Sequence, residues 1–145
     1  MSILGVFAVI WASMIAFGFA ESSIEGKNAW DKKKYGWKIK FGWYKLTRYH
    51  FYLFYISIPI MLTVIPLVVS GWSLSLFGTL LSATISGFVI EDFVWFVSNT
   101  EISFKKSFNS KFANYYPWIN IGKTEIPLLY IVGTIIAGII FIITR

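Results

Sequence analysis

Three side chains in this sequence could hold a cation or move a proton: His50, Glu91 and Asp92. Glu91 and Asp92 are neighbours inside an otherwise uncharged apolar run, Leu74 to Val97. An acidic residue at the centre of a membrane helix costs roughly 2.5–3.5 kcal/mol on insertion scales, so such a pair needs a partner, a cavity or an ion. Carboxylate oxygens suit hard cations, and an imidazole extends the set to transition metals. A three-ligand site with an open position would also suit metal-assisted catalysis. Alternatively, one of the two carboxylates takes and releases protons in a carrier. The structural alternative is an ion pair: Arg48, His50 or a lysine meets the acids and fixes the helices.

These residues must be positioned by membrane-spanning helices. Only 14% of the residues are charged, against about 25% in an ordinary soluble domain. The deficit comes from four apolar stretches, near 1–20, 51–70, 74–97 and 126–144. Each is close to the ~20 residues that a helix needs to cross the hydrocarbon layer. The expectation is a single all-α membrane domain over 1–145, a bundle of four transmembrane helices. Gly18-Phe19-Ala20 resembles a signal cleavage site, but no Lys or Arg precedes it, so the first stretch reads as an uncleaved span. The absence of cysteine excludes disulfides and thiolate-ligated metals. One histidine excludes a His-rich site within a single chain.

Charge gives a topology. Twelve of the 13 basic residues fall between the first and second stretches or between the third and fourth. In a four-span chain those two loops share a side, and the positive-inside rule makes it cytoplasmic, with both termini outside. The setting is a prokaryotic-type cell membrane. The lysines of the first loop alternate with aromatics, which suits a headgroup surface better than nucleic acid, and no nucleic-acid partner is expected.

The second and third stretches meet at a short turn near Ser70-Gly71, so His50 should lie level with Glu91, towards the cytoplasmic end. Glu91 and Asp92 share a helix face with Trp95, and Asn99 follows one turn on. Arg48, Trp95 and Asn99 complete a candidate polar cluster. Trp37 to Trp43 alternates apolar and polar residues and predicts a short strand. Glu21 to Lys34 reads as an interfacial helix. Pro59 and Pro66 predict a bent second span, shaping a cavity or simply curving to pack. Ser75, Thr79, Ser82 and Ser86, with Gly78 and Gly87, form a small-residue stripe for close helix approach. Glu125 precedes Pro127, at the positive end of the fourth helix. No internal repeat is legible.

The run Glu91-Asp92-x-x-Trp95-Phe96-x-x-Asn99, with Tyr115, Tyr116 and Trp118 downstream, resembles small uncharacterised prokaryotic four-span membrane proteins with that motif. The resemblance implies a membrane setting and carries no activity. Three functions fit the residues. The leading one is a small accessory subunit of a larger membrane complex, with the bilayer and other membrane subunits as partners. The second is an ion- or proton-coupled carrier acting as a homo-oligomer. The third is a metal-dependent membrane enzyme, with a divalent cation on His50, Glu91 and Asp92.

Overall fold

The computed structural model describes residues 2–29, 36–42, 44–122 and 124–145. Expectations that fall on 30–35, Trp43 and Lys123 lie outside the described residues. The chain is mostly helical. Helix α1 covers Ile3–Glu25, α2 Arg48–Ser70, α3 Leu74–Ser98, the short α4 Phe104–Ser107, and α5 Leu128–Ile143. Strands β1 (Lys38–Phe41) and β2 (Tyr44–Thr47) precede α2, and strands β3 (Trp118–Ile121) and β4 (Thr124–Pro127) precede α5.

Helices α1, α2 and α3, at 23, 23 and 25 residues, are long and apolar enough to cross a membrane. Helix α5 has 16 residues, roughly 24 Å of rise. The expected span over 126–144 is thus shorter than predicted, because Ile126 and Pro127 pair with β3 instead of starting a helix. The all-α expectation is corrected to helices plus two small antiparallel sheets. The first helix also overruns its expected end. Glu21 and Glu25 complete α1 and are buried; they do not open an interfacial segment.

The hairpins reveal a repeat that the sequence conceals. Every paired position in β3–β4 lies 80 residues after its counterpart in β1–β2: Lys38↔Thr47 matches Trp118↔Pro127, and Phe41↔Tyr44 matches Ile121↔Thr124. Gly42 and Gly122 open the two-residue turns at φ 57° and 63°, a backbone that favours glycine. Each hairpin hands over to its helix through the same bond, Arg48 N to Trp37 O and Leu128 N to Pro117 O, both 2.9 Å. The preceding helices share a start as well. Ser2 and Ser73 cap α1 and α3, accepting from Gly5 N and Leu76 N. The molecule is therefore two helix–hairpin–helix units in tandem.

Helix α3 is the hub, packing against α1, α5 and the second half of α2. Its small residues permit this. Gly87 faces Met14, Ser86 Oγ accepts from Trp11 Nε1 at 2.9 Å, and Ser82 Oγ donates to the Ala137 carbonyl at 2.7 Å. From the other side, Gly18 of α1 sits against the Glu91 carbonyl and Val94. The bend expected in α2 takes a specific form. Residues Phe51–Ser57 and Ile60–Val64 are wound as π-helix, with Pro59 between the two stretches. Proline lacks the N–H for a regular turn and crowds the carbonyl four residues earlier, and wider turns relieve both.

Glu125 does not serve the α5 terminus. Its carboxylate accepts from Ser110 N at 2.7 Å and Ser110 Oγ at 3.1 Å, which ties β4 to the loop after α4. Those bonds hold its pKa below the ordinary 4.5. A depressed folded value makes the tie fully effective above the unfolded value and lost as pH falls through the folded one. The hydrogen-exchange protection factor of the Ser110 amide, its rate relative to the intrinsic rate at each pH, is expected to be high above about pH 5 and to fall in more acid solution. Glu125→Gln should show low protection throughout, and a protection factor that does not change with pH in the wild type would count against the tie.

Candidate metal centre

Helix α1 presents Glu21 and Glu25 one turn apart, so both carboxylates leave the same face. Helix α2 presents His50 to them. Its Nε2 lies 3.7 Å from Glu21 Oε1 and 3.5 Å from Glu25 Oε1. One ligand atom from each of the three residues falls within 4.8 Å of the others, and all three residues are buried. Two ligands about 2.1 Å from a tetrahedral ion lie about 3.4 Å apart. The imidazole–carboxylate distances are already near that edge, so small side-chain rotations would close the site around one ion.

Local sequence fixes the imidazole. Thr47 ends β2 and caps the start of α2, where its Oγ1 accepts from the His50 backbone N–H at 3.3 Å. The same Oγ1 lies 2.5 Å from His50 Nδ1. With the Nδ1 proton directed at Thr47, the Nε2 lone pair faces the two carboxylates. This is the outer-shell arrangement of a ligating histidine. The Phe54 ring stacks on the imidazole at 5.7 Å and limits its rotation. Thr47→Val keeps the shape and removes the oxygen. It is expected to weaken metal binding by roughly 10–100-fold, read by competition with a chromogenic chelator; unchanged affinity would remove Thr47 from the site.

The three residues predicted as ligands are divided between two partners. Glu91 is buried beside Glu21, and the two carboxyl groups are within hydrogen-bonding reach, as is the Tyr49 hydroxyl. Through Glu21, His50 and Glu91 do converge on one end of the helices. Asp92 turns away to accept hydrogen bonds from Tyr116 Oη at 3.1 Å and Tyr130 Oη at 2.6 Å. Beside that carboxylate, burial and the negative charge of Asp92 push the Tyr116 phenol well above its ordinary pKa, so it stays a proton donor.

The predicted polar cluster is likewise dispersed. Arg48 is exposed, lies over Gly36, and pairs with neither Glu91 nor Asp92. Asn99 closes α3: its side chain donates to Gly26 O at 2.6 Å and accepts from Glu101 N and Ile102 N. Trp95 is buried against Phe96 and Phe112. Its Nε1, with Glu21 Oε1 and Glu91 Oε1, is buried without a hydrogen-bond partner among the described residues.

The repeat explains the split. Counted from the capping serines, Glu21 and Asp92 are equivalent, each 19 residues past its cap. Counted from the hairpins, His50 and Tyr130 are equivalent. One unit thus carries a carboxylate–imidazole contact and the other a carboxylate–phenol contact. The residues that sequence reasoning missed as ligands, Glu21 and Glu25, had a signal: two acids four apart, directly after an apolar run. Ending that run at Ala20 put them outside the helix.

A cavity of about 300 Å³ adjoins the centre. Glu21, Glu25, Glu91, Asp92, Trp95 and Tyr115 line one part of it; Phe54, Tyr55, Pro59, Phe88 and Leu129 line the rest. Four carboxylates and no Lys or Arg border it among the described residues. Comparison of the chain with protein-family models, with curated proteins and with solved structures gives no match.

Proposed function

We propose that this is an integral membrane protein that binds one divalent metal ion on Glu21, Glu25 and His50 and uses it as a metal-dependent membrane enzyme does. The observation that carries the reading is the convergence of three buried ligand atoms, two of them from carboxylates that line the adjoining cavity. Three protein ligands leave a tetrahedral ion one open position, the arrangement of catalytic rather than purely structural sites. An ion there would polarise a bound oxygen or activate a water. Mixed oxygen and imidazole ligation favours manganese, iron or zinc over calcium. A divalent cation would also offset part of the negative charge of the carboxylates that line the cavity. A purely structural subunit would have no need of two carboxyl oxygens and an indole N–H left without hydrogen-bond partners, among the described residues, beside a cavity.

In this reading α1, α2, α3 and the shorter α5 all cross the bilayer. The hairpins and the basic loops lie on the cytoplasmic side, as the lysine distribution supports. The metal centre then lies near the cytoplasmic boundary, where α1 and α3 end and α2 begins. Elemental analysis of protein extracted without chelator tests the proposal. One manganese, iron or zinc per chain is expected in the wild type, and none in the Glu21→Gln, Glu25→Gln double variant. Equal trace metal in both would sink it.

A further inference from the structure

From the cavity beside the metal centre we infer the substrate class: a membrane amphiphile with an uncharged, hydroxyl-bearing head group. The inference rests on the proposed metal site and adds to it what the ion would act on. Three observations carry it.

The first is the ordering of the lining along the helix axes. The acids and Trp95 come from the last two turns of α1 and α3. Phe88 lies one turn further into α3, ~4.5 Å deeper than Glu91. In α2, Pro59 lies nine residues beyond His50, about two turns deeper. Apart from Leu129, at the start of α5, the cavity is therefore polar at its boundary end and aromatic or aliphatic towards the membrane interior, as an amphiphile is.

The second is access. Tyr55 of α2 and Leu129 of α5 both line the cavity, and both are exposed, at 55% and 45%. An opening between them would face the apolar side of the molecule, where lipid would lie. The π-helical winding of Phe51–Ser57 belongs to this wall, so the widened turns shape the opening.

The third is the chemistry of the polar end. Among the described residues, Trp95 Nε1 is a donor and Glu91 Oε1 an oxygen without a hydrogen-bond partner, in residues only 4% exposed. A hydroxyl group both accepts and donates, so it can satisfy the two together. An anionic head group would enter a cavity bordered by four carboxylates and, among the described residues, no Lys or Arg. A phosphate is therefore disfavoured. A glycerol-type head meets the donor, the acceptor and the open position of the ion.

Native mass spectrometry of the manganese-loaded protein tests this with three amphiphiles of equal chain length: monodecanoylglycerol, decyl phosphate and decylamine. Monodecanoylglycerol is expected to be retained about tenfold over decyl phosphate, the effect of satisfying otherwise unpaired buried groups. Leu129→Trp fills the opening at an exposed position; it should lose retention and keep one manganese. Trp95→Phe keeps the ring without its N–H and should lose most of the preference. Manganese binding with no preference among the three probes would overturn the substrate class and leave the metal site standing. Retention that is the same with and without manganese would overturn the placement of the head group at the ion. Decylamine held best would assign the cavity to an organic cation instead.

Discussion

His50→Gln is expected to lower metal affinity by more than a hundredfold while the protein remains folded. Losing an outer-shell partner of a metal ligand already costs roughly 10–100-fold, and this change removes a ligand itself. Glutamine preserves volume and a polar tip in a residue that is wholly buried, so the cavity left by alanine is avoided. The competing account is an ion pair between a protonated His50 and Glu21 or Glu25. It makes the opposite prediction. Breaking a buried pair leaves an uncompensated charge, at a cost of about 3–5 kcal/mol, and wild-type metal content would already be negligible. Metal titration and thermal unfolding of the same samples separate the two. Lost metal with a small stability change supports the metal centre. A collapse in stability with no metal in either protein supports the ion pair.

The second large effect is expected at Gly18. A β-carbon there would lie 2.6 Å from the Glu91 carbonyl oxygen and 2.8 Å from Val94 Cβ. Neither neighbour is the end of a flexible chain, so α1 and α3 must separate. Gly→Ala within a helix gains up to about 1 kcal/mol, and overpacking costs about 1–3 kcal/mol. Backbone contact places Gly18→Ala at the upper end of that cost, so destabilisation wins, and Gly18→Val should be worse. Separation would also carry Glu21 and Glu25 away from His50, so metal binding should weaken in parallel. Gly138→Ala on α5 is the control, because nothing among the described residues lies within 4 Å of its added methyl; it should be neutral or slightly stabilising. Thermal midpoints in detergent decide the matter. Equal behaviour of the two alanine variants would refute the claim that the α1–α3 contact is closed by Gly18.

The hydropathy of the chain is sufficient to find α1, α2 and α3, because each is a long uninterrupted apolar run. The small-residue stripe on α3 likewise announced a close contact, and Gly87 against Met14 makes one. What stayed hidden depended on context. The last two residues of β4, Ile126 and Pro127, lie in the apolar run from Ile126 onwards, where strand and helix residues are alike, and only pairing with β3 separates them from the helix. The kinship of this hairpin with the first is carried by a sparse pattern, Ile39-x-Phe41-Gly42 against Ile119-x-Ile121-Gly122, which is too short to stand out. Asp92 looked like half of a charged pair. Two tyrosine hydroxyls from distant segments satisfy it instead, and no local spacing foretells that. A span that ends at its first charge leaves Glu21 and Glu25 outside the helix. In the fold, α1 continues one full turn further, since α2 supplies His50 opposite them.

The centre itself is tested most directly by pulsed electron paramagnetic resonance on the manganese-loaded protein in its native membrane. The account predicts one manganese site with hyperfine coupling to a single imidazole nitrogen, a coupling absent from His50→Gln. A manganese signal without nitrogen coupling, or one that His50→Gln leaves unchanged, would contradict it.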